Sequence, residues 1–376
     1  MKTTRLLLSQ LMILTFANVL SSQITLSTQA EVDAWDQSIT VLTGDVIIRG
    51  DDIVNIDSLH RITEIAGNFE IIQNNLLTNL NGLKGLTKIS GRLYVWGNRA
   101  LNNTDGLLGL NDIEGILTFR TNSELSNLDG LSNLRDVSGS INVSLNGSLD
   151  NINCFLGLTD FTGSITLSSN GLKTLDGFSS LEEFSGTIKI TGDGVENIDV
   201  FSNMTNLKGN LDIASVSTLT NVDAISNLVS ISGSLTLNNM SSLTNLDALS
   251  NLNNLSGNLF ILRNSELRNI DGLSQLSDVS GMITVRENLN LNNIQGFINF
   301  NILSGRVQIL DNHGLLELNG LSNLQEINGT LDIRSNSSLT NLDGLSNLSV
   351  INGTLNIESN DNLENINALS LSLIHI

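Results

Sequence analysis

The sequence predicts a β-rich solenoid, a right-handed parallel β-helix of about fourteen coils of 23 or 24 residues each. Three observations support this. A repeat opens on a glycine in the pattern Gly-x-Leu-x-Ile, alternate residues of that segment are apolar, and apolar residues then recur at every third position. Repeats of constant length are typical of units that bury their apolar sides only by stacking. The repeat glycines are Gly44, Gly67, Gly91, Gly115, Gly139, Gly163, Gly186, Gly209, Gly233, Gly257, Gly281, Gly305, Gly329 and Gly353.

The first segment of each coil predicts a short parallel strand. In the copy that begins at Gly329, Leu331 and Ile333 are expected to point inward. Asp332 and Arg334 are expected to point outward, because side chains alternate between the two faces of a strand. The later apolar residues, spaced by three, fit a chain that bends round the core along an extended or 3₁₀-like path. Fourteen coils at ~4.8 Å each give a length of about 65 Å.

An asparagine follows the second apolar strand residue by three positions in ten coils. The chain leaves the strand there, so backbone groups lose their ladder partners, and a buried amide supplies both a donor and an acceptor. We therefore predict a structural turn ladder. Its members are Asn74, Asn98, Asn122, Asn146, Asn170, Asn264, Asn288, Asn312, Asn336 and Asn360. The other coils carry Asp51, Asp193, Val216 and Met240 at this position.

An aspartate recurs in the later segment of nine coils. These residues are Asp57, Asp105, Asp129, Asp176, Asp199, Asp223, Asp247, Asp271 and Asp343. Stacking places successive carboxylates ~4.8 Å apart. One interpretation is a ladder that binds cations. We favour the other, in which each side chain caps a turn by accepting the backbone N–H two residues later. Cys154 occupies the small-residue position of the same turn and is predicted to be a core thiol.

The N-terminal 43 residues lie outside the repeat. Residues 1–22 predict a secretory signal peptide, because Lys2 and Arg5 precede a mostly apolar run that is shorter than the ~20 residues needed to span a bilayer. Residues 23–43 predict an N-terminal cap. The cap contains a short helix over Thr28–Trp35, with Thr28 and Glu31 as a capping box.

The repeat solenoid is predicted to occupy residues 44–370. Residues 371–376 break its register and resemble the translated end of a transposase-type sequencing adapter. We therefore expect a non-native read-through tail there, and a natural protein that is longer.

The run L-x-I-x-x-N-x-x-L-x-x-L-D-G-L-x-x-L-x-x-I-x-G resembles leucine-rich repeats. It most closely resembles the receptor L domain, the ligand-binding module of the insulin- and epidermal-growth-factor-receptor ectodomains, which also occurs in fungal wall proteins and secreted bacterial proteins. The resemblance extends over nearly all of residues 44–370 and implies a binding function. Growth-factor signalling is not implied, because the disulfides and cysteine-rich flanks of those receptors are not found in this sequence.

Composition argues against several classes of function. The chain has 38 acidic and 18 basic residues, so its net charge of −20 repels nucleic acid and anionic membranes. Its single cysteine forms no intrachain disulfide. His60 and His313 lie about ten coils apart, so no histidine-based triad or zinc cluster is expected. Outward strand positions are mainly Thr, Ser and Asn and suggest a solvated face. We expect no catalysis, no cofactor and no metal.

The sequence favours a secreted or cell-surface recognition module that binds a protein or glycan on the strand face. The alternative is a structural spacer, or the stalk of an adhesin, in a longer surface protein. Exposed aromatic residues next to arginine are typical of interfaces, and coil three is expected to carry them. The alternative for these side chains is that the cap or a C-terminal segment covers them. The candidate ligand-binding residues are Ile72, Arg92, Tyr94, Trp96 and Arg120, with a smaller cluster of Phe260 and Leu262 near Arg286 and Leu310.

Overall fold

The structure, a computed structural model, is a solenoid of stacked coils with one long parallel sheet along its side. It describes residues 19–20, 22–181, 183–192, 194–277, 279 and 281–369. Fifteen parallel strands form the long sheet, and each pairs with the next in chain order. They are Ile24–Leu26, Val46–Ile48, Phe69–Ile72, Leu93–Trp96, Leu117–Arg120, Ile141–Ser144, Ile165–Ser168, Thr187–Thr191, Asn210–Ala214, Leu235–Asn238, Leu259–Leu262, Ile283–Arg286, Arg306–Leu310, Thr330–Arg334 and Thr354–Glu358.

The predicted parallel solenoid of about fourteen coils is confirmed, with one difference at its start. Fourteen strands follow the repeat glycines, and the fifteenth, Ile24–Leu26, comes from the segment expected to be only a cap. It pairs in parallel with Val46–Ile48. The N-terminal segment therefore extends the long sheet by one strand, although it lacks the repeat pattern.

The other side of each coil carries shorter elements. Two-residue strands form four small parallel sheets, and a 3₁₀-helix closes each coil at the point where apolar residues recur every third position. The short strands are Val19–Leu20, Val41–Leu42, Glu64–Ile65, Lys88–Ile89, Asp112–Ile113, Asp136–Val137, Asp160–Phe161, Glu183–Phe184, Asn206–Leu207, Ser230–Ile231, Asn254–Leu255, Ile302–Leu303, Glu326–Ile327 and Val350–Ile351. The 3₁₀-helices are Asp57–Leu59, Asn81–Leu83, Asp105–Leu107, Asp129–Leu131, Asn153–Gly157, Asp176–Phe178, Asp199–Phe201, Asp223–Ile225, Asp247–Asn251, Asp271–Leu273, Gln295–Phe297, Asn319–Leu321, Asp343–Leu345 and Asn367–Leu369.

The core is a set of columns in which equivalent residues of successive coils lie on one another. Leu117 pairs in register with Ile141, for example, and both are fully buried. Each coil thus covers the apolar side of its neighbour, and this burial is the main source of stability. The repeat glycines stack where coils approach closely. A Cβ at Gly91 would lie 2.5 Å from the carbonyl oxygen of Gly67, which explains the absence of a side chain at that corner.

One α-helix, Gln29–Asp33, lies at the N-terminal end within the span predicted from the sequence. The Thr28 hydroxyl accepts the N–H of Glu31, whose carboxylate in turn accepts the N–H of Ser27. Val32 is fully buried, and the helix packs on Ile24–Leu26 and on Asp57–Leu59 of the first coil.

The predicted signal peptide and read-through tail lie almost entirely outside the described residues and remain predictions. In the part of the chain that the structure describes, no helix has the length and apolar character needed to cross a membrane.

The bend after each long strand has a feature that the sequence did not predict. In thirteen coils the residue before the ladder position has a positive φ, and in eleven of them it is not glycine and has a φ near 55°. A side chain in this region is strained, by about 1–2 kcal/mol. The stacked coils impose the same bend whatever residue is present. These residues are Gln73, Thr121, Leu145, Ser169, Ser215, Asn239, Arg263, Glu287, Asp311, Ser335 and Ser359.

Candidate recognition surface on the strand face

The ten ladder asparagines form two buried columns that join neighbouring coils. Asn98 is typical: its Oδ1 accepts the backbone N–H of Asn74 at 2.9 Å, and its Nδ2 donates to the carbonyl of Ile71 at 2.8 Å. Nδ2 also donates to the carbonyl of Trp96 in its own coil, at 3.3 Å. Each amide therefore serves as donor and acceptor, with most of its bonds made to the preceding coil. The bond to the Trp96 carbonyl connects this scaffold to the candidate surface.

Three coils separate the two columns, and two of them carry an apolar side chain at the ladder position. Val216 and Met240 are fully buried there. The bend persists, since Ser215 and Asn239 keep φ values of 57° and 54°. Asn264, at the start of the second column, accepts the N–H of Met240 at 3.0 Å. The asparagine therefore supplies bonds between coils and is not what makes the chain bend.

The turn beside the aspartate row is capped by a different residue from the one predicted. Asn127 Oδ1 accepts the N–H of Asp129 at 3.1 Å, and Asn245 Oδ1 accepts the N–H of Asp247 at 3.0 Å. The predicted cap was therefore wrong: an asparagine two residues earlier makes the bond, because the chain needs an acceptor before the 3₁₀-helix begins. The aspartate carboxylates themselves are exposed.

Stacking of the exposed aspartates has an electrostatic cost. Burial, and then the charge of Asp247 in the preceding coil, raise the pKa of Asp271 above its usual value. Among the described residues, no three His, Cys, Asp or Glu side chains come together in a way that would hold a metal ion. Cys154 is 2% exposed, and burial raises the pKa of its thiol well above the usual value.

The strand face is defined here as the outward side of the long sheet, and on it Arg92, Tyr94 and Trp96 form an aromatic cluster. The rings of Tyr94 and Trp96 are 6.4 Å apart between centroids and tilted by 32°. The Arg92 guanidinium lies 5.4 Å from the centre of the Tyr94 ring and pairs with Glu70. Both rings are half-buried, and neither is fully covered.

The neighbours of the aromatic cluster follow from the strand register. Trp96 lies between Ile72 and Arg120, which are half-buried and exposed respectively. Tyr94 lies beside Thr118, whose exposed fraction is only 7%. The N-terminal helix packs on the first coil, two coils away from this cluster.

The second predicted cluster forms a shallow pocket, called here the apolar pocket. Phe260 and Leu262 are half-buried on one strand, and Thr284 lies beside Phe260 on the next strand with an exposed fraction of 8%. Arg263, Arg286 and Glu287 complete the lining, and the volume is about 160 Å³. Leu310 pairs in register with Arg286 and is half-buried.

The expectation of a solvated strand face is wrong at several positions. Asp332 is 1% exposed because Arg306, Arg334 and Asn356 lie against its carboxylate, at 2.9, 2.9 and 2.5 Å. Burial favours the neutral acid, but the hydrogen bonds from Asn356 and the two arginines outweigh it and hold the pKa of Asp332 below its usual value. At a coil spacing of ~4.8 Å, long side chains cover short neighbours.

Charge is distributed unevenly between the long sheet and the rest of the chain. The fifteen strands contain five basic and four acidic residues. The remaining 13 basic and 34 acidic residues give the rest of the sequence a net charge of −21. The long sheet is therefore almost neutral in a strongly acidic protein.

Comparison with known proteins finds a match to one family and similarity to several solved structures. Residues 301–376 match the sequence model of the receptor L domain. The structure is similar to an internalin from Listeria monocytogenes, with 18% identity, a TM-score of 0.41, and 92% of this chain and 86% of that chain covered. It is also similar to a leucine-rich repeat protein of Leptospira interrogans, with 15% identity, a TM-score of 0.32, and 81% and 88% covered.

A third similar structure is the complex of TLR13 with ssRNA13, with 13% identity, a TM-score of 0.26, and 94% of this chain and 75% of that chain covered. No curated protein matches the chain. The match at residues 301–376, together with the stacked coils and their long parallel sheet, confirms the resemblance: the fold is a solenoid of the leucine-rich repeat and receptor L domain type.

Proposed function

We propose that this chain is a non-catalytic recognition module, secreted or displayed at the cell surface, that binds a protein partner on the strand face. The observation that carries the proposal is the aromatic cluster. Tyr94 and Trp96 are the only tyrosine and one of two tryptophans in the sequence, and both stand partly exposed beside Arg92. Tyrosine, tryptophan and arginine are the residues most enriched in binding hot spots.

The scaffold beneath the aromatic cluster suits recognition. The carbonyl of Trp96 accepts bonds from Asn98 and from the N–H of Gln73, at 3.3 and 2.8 Å. The strand that carries both aromatic side chains is paired on each side. A preorganised surface loses little conformational entropy on binding, which favours affinity.

The near-neutral charge of the long sheet gives a second reason to place the partner there. A protein with a net charge of −20 repels most acidic partners at long range, and the acidic residues lie mainly outside the sheet. An interface centred on the aromatic cluster brings an acidic partner against the near-neutral sheet, so charge repulsion at the contact is small. The competing proposal, a passive spacer or adhesin stalk, gives no reason for a half-exposed Tyr94–Trp96 pair.

The first test measures the exposure of Trp96. In a Trp35→Phe variant, Trp96 is the only indole, and we expect the emission of a partly water-exposed tryptophan that iodide quenches. Blue-shifted emission that iodide does not quench would mean that another segment covers the cluster, and the proposal would fail.

The second test measures binding against a panel of immobilised extracellular proteins. We expect saturable binding to at least one member, weakened at least tenfold by Trp96→Ala and unchanged by Trp35→Phe, the matched tryptophan control outside the cluster. Binding that Trp96→Ala and Tyr94→Ala leave unchanged would place recognition elsewhere. The absence of saturable binding across the panel would favour the spacer.

A further inference from the structure

We infer that the apolar pocket takes one uncharged side chain of the protein partner, a phenylalanine or a leucine. The inference rests on the proposed function, because it assigns a second contact to the same partner. It adds the chemical class of the group recognised and the residues that select it.

The pocket exists because a short residue lies between longer ones. Along one row of the sheet, Phe260, Thr284 and Gln308 are neighbours in register. The Thr284 hydroxyl lies 3.4 Å from Gln308 Oε1, to which it donates. Phe260 and Leu262 form the apolar wall on one side of the depression. An apolar group that enters it replaces water at these side chains without displacing an existing hydrogen bond.

The rim is charged but internally neutralised. Arg263 Nε lies 2.7 Å from Glu287 Oε2, and Arg286 Nη2 lies 2.9 Å from Glu287 Oε1. Arg286 Nε also pairs with Asp311 Oδ2 at 3.1 Å. Two guanidinium groups thus face two carboxylates. A charged group entering the pocket would have to disrupt these pairs, whereas an uncharged apolar group leaves them in place.

The size of the pocket limits the occupant. An apolar cavity of about 150 Å³ in another protein accommodates benzene. The apolar pocket, with a volume of about 160 Å³, therefore admits a phenyl ring or a leucine side chain. The volume and the neutralised rim together favour an uncharged apolar side chain of this size, a phenylalanine or a leucine.

The test uses amino-acid amides as probes of the full chain. We expect N-acetyl-L-phenylalaninamide and N-acetyl-L-leucinamide to shift the methyl NMR signals of Leu262 and Thr284 in a saturable way. N-acetyl-L-lysinamide, the α-amide of N-acetyl-L-aspartic acid with its side-chain carboxylate free, and methyl β-glucoside should bind at least tenfold more weakly. The glucoside represents a glycan partner, so preferential binding of it would overturn the inference.

A blocking variant and its matched control locate the site. Thr284→Phe fills the depression and should weaken phenylalaninamide binding at least tenfold. Thr166→Phe makes the same change at the same position of a distant strand, and should leave binding unchanged. If Thr284→Phe has no effect, or if no amide binds, the assignment of the pocket is wrong.

Failure of the pocket and failure of the proposed function are distinguishable. Trp96 lies seven coils from Phe260, about 34 Å away at ~4.8 Å per coil, so substitutions at the two places act independently. Loss of partner binding in Trp96→Ala but not in Thr284→Phe would leave the proposed function standing and overturn the inference. Loss in neither variant would overturn both.

Discussion

Two polar side chains repeat along the solenoid, one inside and one outside, and their energetic consequences differ. The asparagine column is buried, and each amide bonds to the backbone of the preceding coil. The aspartate row is exposed, and at Asp271 partial burial, followed by the charge of Asp247, disfavours ionisation. Burial makes the first repeat a source of stability, because a buried backbone group without a partner is costly. Because the aspartate row is exposed, it contributes almost nothing to the free energy of unfolding or lowers it slightly.

The two coils with Val216 and Met240 at the ladder position, called here the interrupted coils, sharpen this comparison. At Val216 and Met240 the same stacking and the same bend occur with an apolar side chain in the ladder position. The ladder position therefore accepts either an amide or an apolar side chain, provided that the choice suits the neighbouring coils. An amide needs a partner in the adjacent coil, whereas an apolar side chain needs only to fill space.

The largest effect is expected when an asparagine is replaced within its column. Asn98→Met removes the acceptor for the N–H of Asn74 and the donor to the carbonyl of Ile71. We expect the free energy of unfolding to fall by about 3 kcal/mol, because each buried group left without a partner costs about 1–3 kcal/mol. Chemical denaturation measures the loss.

Asn98→Asp is the matched control for that substitution. It keeps an acceptor oxygen at the position but loses the amide donor, so its effect separates the two roles. A melting midpoint unchanged in Asn98→Met would mean that the column contributes nothing to stability, and the comparison with the aspartate row would fail.

A smaller loss is expected at the one strand-face aspartate that is buried. Asp332→Asn should lower the free energy of unfolding at neutral pH by about 1–2 kcal/mol, because hydrogen bonds that involve a charged group are lost. The pKa of Asp332 is lowered in the folded state, so this contribution is complete above the unfolded pKa of about 3.9 and is lost as the pH falls through the folded pKa.

The pH dependence of stability tests this explanation. The difference between the wild type and Asp332→Asn should be constant near neutral pH and shrink below about pH 4. A difference that does not change in acid would show that packing at Asp332, and not its charge, is responsible.

The reverse substitution in the interrupted coils should change stability less. In Met240→Asn, the new amide is placed to accept the N–H of Val216 and to donate to the carbonyl of Ile213, by analogy with Asn264 and Leu237. The lost burial of methionine offsets these bonds, so we expect a change within about 1 kcal/mol. A loss as large as that in Asn98→Met would mean that the interrupted coils cannot accept an amide.

The sequence predicted most of the fold because every coil repeats the same local rule. The glycine spacing predicted the number and length of the coils, and the apolar residues at every third position predicted a 3₁₀-like path where the 3₁₀-helices lie. The strand Ile24–Leu26 was missed because it lacks the repeat, and it forms only because the next coil offers an unpaired strand edge. The positive φ values were missed because residues such as Leu145 and Thr121 give no local signal for that conformation.

The candidate surface was less predictable than the fold. Alternation predicted that Tyr94 and Trp96 would lie side by side, and the register places them next to Ile72 and Arg120. Whether a polar outward residue is covered depends on the length of its neighbours in adjacent coils. The burial of Asp332 and the pocket beside Thr284 both arise in this way, and a pattern read along one strand does not contain that information.

The smallest effect is expected in the aspartate row. In Asp271→Asn the charge that faces Asp247 is removed, and because the pKa of Asp271 is raised in the folded state, its ionisation opposes folding above that pKa. We therefore expect Asp271→Asn to be slightly more stable than the wild type at neutral pH. The gain should disappear as the pH falls below the unfolded pKa of about 3.9, where the acid is protonated in both states.

The effect of salt on the stability of the wild type and of Asp271→Asn distinguishes repulsion between carboxylates from cation binding by the aspartate row. Sodium chloride screens the repulsion between Asp271 and Asp247 but not the effect of burial, so it should remove only the part of the advantage of Asp271→Asn that comes from Asp247, and calcium at equal ionic strength should act no differently. One exposed carboxylate per coil offers too few oxygens for a site that needs six to eight ligands. If calcium alone raised the melting temperature of the wild type, and Asp247→Asn together with Asp271→Asn abolished the rise, the row would be a cation site.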